Sequence, residues 1–190
     1  GIGVTTDDMH GIELAVEYLK NSGHKKIGFF TFQEKEKKGI TEYLLRREEG
    51  FQKAVKKYFS DENPVIFKRS SALKGIELQN YMNEFLKRGT QAGFDGFICS
   101  SDLLALEVLQ AAFAGGFKVP EDFSLIGYGD LGVSSLLRPA LTTISQNFEN
   151  IGAMTARLVI DAVRNKRFMA EACNLVLPVK LTERESTRKI

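Results

Sequence analysis

The chain has 190 residues, enough for one globular domain or two small lobes whose core needs no metal or disulfide. Its 26 Lys and Arg against 24 Asp and Glu leave a formal charge of +2, too balanced for a free-standing nucleic-acid binder with a basic stripe. A hydrophobic share of 43% with 26% charged residues excludes a disordered chain, and the lack of an apolar run of about 18 residues excludes a helical membrane span.

In chain order, β-type runs alternate with amphipathic stretches. Val4 ends a first apolar run, and Ile12, Ala15, Val16 and Leu19 then fall at i, i+3, i+4 and i+7, one face of a helix closed by Gly23. Ile27 to Phe30 reads as a strand, and the charged run Glu34 to Lys38 as a solvated connection ending at Gly39. Leu44, Phe51, Val55 and Tyr58 carry a second helix, Val65 to Phe67 a strand, and Leu78, Met82 and Phe85 a third helix closed by Gly89. Phe97 to Cys99 is a strand. Asp102 to Ala114 is apolar nearly all round and is expected to be a buried helix, stopped by Gly115 and Gly116. Ser124 to Ile126 and Thr142 to Ser145 are β-type; Ile151, Met154 and Leu158 carry a helix ending near Asn165; Leu175 to Leu177 is the last strand before a charged tail. Strand and helix in alternation require crossover connections. The expected fold class is therefore α/β, a three-layer arrangement with a mostly parallel sheet and helices on both faces.

Ligands of such sheets bind beyond the carboxyl ends of the strands. Those ends carry Asp7 and Asp8, Phe32 and Gln33, Lys68 to Ser70, Ser100 to Asp102, Tyr128 and Asp130, and Gln146 to Phe148. Carboxylates, amides, hydroxyls and rings suit a small polar ligand such as a sugar. The same residues also suit plain structural work. Ser101 or Asp102 can cap the following helix, Phe148 can staple its own helix, and one of Asp7 and Asp8 is expected to cap the first helix while the other is free. His24, after a helix end, is expected to bond terminal carbonyls. Cys99 reads as a small hydrophobe, and Cys99 with Cys173 makes no disulfide framework, which points to a reducing compartment. No nucleophile elbow, zinc motif or phosphate loop is present, so no cofactor or metal is expected. The opening Gly1-Ile2-Gly3-Val4 has neither part of a signal peptide. A hydrolytic carboxylate pair remains a further alternative.

Several segments together resemble the lactose-repressor/galactose-repressor family of bacterial transcription regulators. Val4-Thr5-Thr6-Asp7-Asp8 followed by Gly23-His24-Lys25-Lys26-Ile27 is similar to "V-x-x-D-N … G-H-x-x-I"; Arg47-Glu48-Glu49-Gly50-Phe51 to "R-x-x-G-F"; and Ser101-Asp102-Leu103-Leu104-Ala105 to "N-D-x-x-A". Val119 to Tyr128 resembles "V-P-x-D-I-S-V-V-G-F", and Pro139 to Gln146 resembles "P-x-L-T-T-V-x-Q".

The resemblance implies a core like a periplasmic sugar-binding protein, with an effector between two lobes that alters the operator affinity of a dimer. It implies a nearly complete C-terminal lobe (33–147 and 167–190), a partial N-terminal lobe (1–32 and 148–166) and no DNA-binding domain in this chain. Operator DNA would be reached only through that missing domain. It also implies a cytoplasmic, non-catalytic homodimer with no membrane partner; the apolar stretch Leu104 to Phe113 is a candidate pairing surface, with core burial the favoured reading for most of its side chains. The alternative is the sugar-binding protein of a transport system, which shares the fold. The implied effector-binding residues are Asp8, Arg47, Ser101, Asp102, Asp130 and Phe148: Arg47 as a clamp on hydroxyls or a carboxylate, and Phe148 as a ring on the sugar. Ser101 stands where the family has asparagine, and Gly129 where it has a ligand-binding aspartate, with Asp130 next to it. A sugar or phosphorylated sugar is the implied effector.

Overall fold

The computed structural model describes residues 2–33, 40–60, 63–70, 72–164 and 173–190. The charged run from Glu34 and the helix end near Asn165 lie outside them. The first strand, β1 (Ile2–Thr6), leads into α1 (Asp8–Asn21), β2 (Ile27–Gln33), α2 (Ile40–Tyr58), β3 (Val65–Ser70), α3 (Gly75–Gln91), β4 (Gly96–Cys99) and α4 (Asp102–Ala114). Then come β5 (Ser124–Gly129), a 3-10 turn (Gly132–Ser135), β6 (Thr142–Ser145), α5 (Phe148–Arg164), β7 (Cys173–Leu177) and β8 (Lys180–Thr182). Six strands form one sheet in the order β3-β2-β4-β5-β6-β8, parallel except for β6 with β8. The strands β1 and β7 form a separate parallel pair.

The large sheet is covered on both faces, which is what continuous apolar strands require. Phe29 and Phe30 point to opposite sides. Phe29 enters a core with α1 and α2, built on Ile12, Val16, Leu19, Phe51 and Val55, and Phe30 enters another with α3 and α4, built on Met82, Leu86, Leu104 and Val108. The expected stripe Ile12, Ala15, Val16 and Leu19 is fully buried. Asp7 caps α1, accepting from His10 N at 3.0 Å, and Gly23 closes it at φ +94°. His24 Nδ1 lies 3.1 Å from the Leu19 carbonyl, and burial pushes its imidazole pKa down. Cys99 is buried, and burial raises its thiol pKa.

Three expectations need correction. The helix α3 does not stop at Gly89 but runs through it, because the missing side chain admits the Phe97 ring; a Cβ there would lie 3.2 Å from it. α4 spans the expected residues but is not buried all round: Leu103 is 57% and Phe113 88% exposed. The charged tail is built into the sheet. β8 pairs with β6, and the buried Ser186 donates its hydroxyl to the Leu125 carbonyl at 2.6 Å.

Strand pairing also divides the chain differently from the boundaries 1–32 with 148–166 and 33–147 with 167–190. The apolar stripe of α1 packs on Ile98, Ile126 and Ile144 of the large sheet, and β2 lies between β3 and β4. Residues 8–33 therefore belong with the six-stranded body. The smaller unit consists of β1, α5 and β7. The chain passes between the two units at 6–8, 145–148 and 177–180, and these passages are tied together. Gln146 Nε2 donates to Thr6 Oγ1 at 2.7 Å, and Asp7 N to the Leu177 carbonyl at 3.3 Å.

Candidate functional site

A cavity of about 370 Å3 opens where the carboxyl ends of β4 and β5 face the smaller unit. Its floor is set by α1 and α2. Asp8, the first residue of α1, is 3% exposed and is not free: Arg46 Nε donates to one oxygen at 3.1 Å, and Arg47 Nε donates to the other at 2.8 Å. Arg47 Nη2 reaches that second oxygen at 2.8 Å, and Nη1 donates to the Ser100 carbonyl at the end of β4 at 2.7 Å.

Arg47 is also held between two rings. Its guanidinium carbon lies 3.6 Å from the Tyr128 ring centroid and 4.7 Å from that of Tyr43. Placed over π faces, a desolvated guanidinium gains cation–π attraction of about 2 kcal/mol. The Tyr128 phenol sits over α1, where Gly11 leaves room for it; a Cβ on Gly11 would lie 2.5 Å from Tyr128 Oη. That oxygen has no partner among the described residues, and burial pushes the phenol pKa up.

Of the six expected site residues, Asp8, Arg47, Ser101 and Phe148 converge on this cavity. Ser101 also caps α4, accepting from Leu104 N at 3.2 Å, so both of its readings hold geometrically. Phe148 opens α5 and is half-exposed at the cavity rim. Asp102 and Asp130 do not line it. Asp102 is 1% exposed behind the wall, where one oxygen accepts from Leu131 N at 2.8 Å and Ser134 Oγ at 2.7 Å, and the other accepts from Thr143 Oγ1. It ties α4 to the loop after β5 and to β6. A Cβ on Gly127 would fall on Asp102 Oδ1, so the glycine makes room for this carboxylate. Asp130 is turned out of the cavity by a left-handed backbone (φ +57°) after Gly129 (φ +134°) and pairs with Arg184 Nη2 at 2.6 Å. The carboxylates of Asp102 and Asp130 therefore do not meet at the cavity as a hydrolytic pair would.

Sequence reasoning missed Tyr43, Arg46, Leu131 and Thr6 in the wall, and it noted Tyr128 and Gln146 at strand ends without assigning them to the site. Arg46 had a signal in its position beside Arg47; Tyr43 had one in its place four residues before Arg47, one turn away on α2. Among the described residues no group of three or more His, Cys, Asp and Glu is arranged to hold a metal.

Comparison with known proteins agrees with this architecture. Residues 16–187 match the model of the periplasmic binding protein-like domain. The chain is 28% identical to the HTH-type transcriptional repressor PurR of Mannheimia succiniciproducens over 98% of its own length and 53% of that protein. It is 29% identical to the ribose operon repressor of Halalkalibacterium halodurans over 97% of its length and 52% of that protein. The chain thus spans about half the length of the curated relatives it matches. Among solved structures, a LacI family transcriptional regulator from Enterococcus faecium with bound ribose superposes with a TM-score of 0.81 at 26% identity, covering 98% of this chain and 65% of that one. The chain belongs to the periplasmic binding protein-like domain family, and within it is similar to transcription regulators of the lactose-repressor/galactose-repressor type.

Proposed function

We propose that this chain is the effector-sensing core of a bacterial DNA-binding transcriptional regulator. It binds a sugar or sugar derivative and alters operator affinity through the relation of two lobes. The observation that carries this reading is the cavity itself, which has walls from both units: Asp8, Arg47 and Ser101 from the six-stranded body, and Val4, Thr5 and Phe148 from the smaller one. A ligand touching both units favours the arrangement in which both touch it, and only such differential contact shifts an equilibrium. In this reading the six-stranded body is the C-terminal lobe, and β1, β7 and α5 are part of the N-terminal lobe. The three passages at 6–8, 145–148 and 177–180 are the hinge. The regulator would act in the cytoplasm, where operator DNA is. The ribose seen in the Enterococcus faecium neighbour makes pentoses the first class to try.

Calorimetric titration of the chain with a panel of neutral and acidic sugars tests this reading. One of them is expected to bind, and Phe148→Ala to weaken it about tenfold, the worth of a ring stacked on the ligand. The rim position of Phe148 leaves the fold intact in that variant. Binding unaffected by Phe148→Ala would place the ligand elsewhere.

The chain is further read as a homodimer. Phe113 at the end of α4 is 88% exposed and Leu136 is 74% exposed, and scattered single apolar residues are normal, but both lie on the body away from the cavity. Sedimentation velocity is expected to give a dimer that Phe113→Asp converts to monomer.

A further inference from the structure

The ligand-facing chemistry of the cavity is unbalanced. Among the described residues Asp8 is the one carboxylate in its wall, and both of its oxygens are already taken by Arg46 and Arg47. Asp102 is spent behind the wall on Leu131, Ser134 and Thr143, and Asp130 is turned away to Arg184. Gly129 stands in the wall with no side chain to offer. A neutral sugar is gripped best by carboxylates that accept from its vicinal hydroxyls, and this cavity has no such acceptor to spare.

Donors, by contrast, remain. Two guanidiniums face one carboxylate, so the charged groups of the wall sum to +1. Arg46 is the adaptable one. Its side chain is 37% exposed, and beyond Asp8 its other partner is Glu42, bonded to Nη1 at 2.8 Å and itself 76% exposed outside the cavity wall. Such a solvent-facing pair is weak, so a ligand anion displaces Glu42 at little cost. Arg47, 5% exposed and locked between two rings, holds Asp8 in place so that Arg46 has a fixed second anchor. Among the described residues no partner engages Arg46 Nη2.

We infer that the effector of this cavity carries an acidic group, a phosphate or a carboxylate, received by Arg46 at the cavity rim. The inference rests on the sensing function proposed above and names the ligand class of that same site. Bidentate donation from a planar guanidinium to an oxyanion is the contact it makes.

The test is titration of the chain with ribose, ribose 5-phosphate, ribonate and inorganic phosphate, repeated with Arg46→Gln. An acidic sugar is expected to bind about tenfold or more tightly than ribose, the worth of one charge-assisted hydrogen-bond pair. Arg46→Gln should remove that advantage, weakening the acidic ligand about tenfold more than ribose, and added salt should weaken the acidic ligand selectively. Which of ribose 5-phosphate and ribonate gains distinguishes phosphate from carboxylate. Ribose binding as tightly as both acids, or an Arg46→Gln variant that weakens all three alike, overturns the inference and leaves the sensing function standing. Inorganic phosphate binding as well as ribose 5-phosphate, or no binding by either acid, also overturns the inference, while the sensing function is decided by the wider sugar panel.

Discussion

The six-stranded body and the small unit of β1, α5 and β7 follow the same sequence rules with opposite results. α1 and α5 both carry an apolar stripe at helical spacing. In α1 every residue of the stripe is fully buried, because the sheet and α2 lie against it. In α5 none of the described residues is buried: the stripe Ile151, Met154 and Leu158 is only partly covered, and Val159, Ile160 and Val163 on another side are about half-exposed. The stripe tells that a helix forms and which side is apolar; burial depends on a partner surface, which β1 and β7 alone are too narrow to provide. A two-stranded sheet has only marginal stability of its own, so the body is expected to carry the stability of the chain and the small unit to contribute mainly its share of the cavity.

Paired substitutions make the contrast measurable. Asp102→Ala removes a fully buried carboxylate and leaves three donors, from Leu131, Ser134 and Thr143, without their acceptor. Urea denaturation is expected to show a loss of about 3 kcal/mol or more. Val163→Ala, on the exposed side of α5, is expected to change stability by less than about 0.5 kcal/mol. Comparable losses from the two variants would mean that the small unit shares the body's cooperative core and that the contrast is wrong.

The body was legible in the sequence for the same reason that it is stable. Alternating β and helical periods dictate a crossover topology, and Phe29 and Phe30 need one apolar layer on each side of the sheet. The division into units was less legible. β1 and β2 read alike as short strands, and pairing partners are set by long-range contacts that local periodicity does not encode. The final segment was missed because β8 is three residues long, two of them polar, and Ser186 is buried only through its hydrogen bonds to the Leu125 carbonyl and Thr142 N.

At the site, position proved easier to read than orientation. The rule that ligands bind beyond the strand ends brought Asp8, Ser101 and Phe148 to one cavity, yet Asp102 and Asp130, which obey it equally, serve the scaffold. Their direction depends on the loop after β5, where Gly129 and Asp130 both take positive φ values. Arg47 shows the same ambiguity within one residue: it lines the cavity, but its bonds go to Asp8 and Ser100.

Asp130 gives the smallest and most discriminating effect. Its carboxylate faces Arg184, whose other nitrogen, Nη1, donates to the Leu141 carbonyl at 2.7 Å, so the pair fastens the C-terminal segment to the loop at the end of β5. Both side chains are about one-fifth exposed, and solvent screens the pair in part. Asp130→Ala should therefore cost about 1 kcal/mol in urea denaturation, toward the upper end for a partly exposed pair. Ligand affinity should stay within about twofold, since the Asp130 carboxylate is turned out of the cavity and bonded to Arg184. A loss of affinity without loss of stability would instead mean that the carboxylate swings into the cavity when ligand is present. The site would then have the spare acceptor that its geometry lacks, and a neutral sugar would regain its place as the fitting ligand.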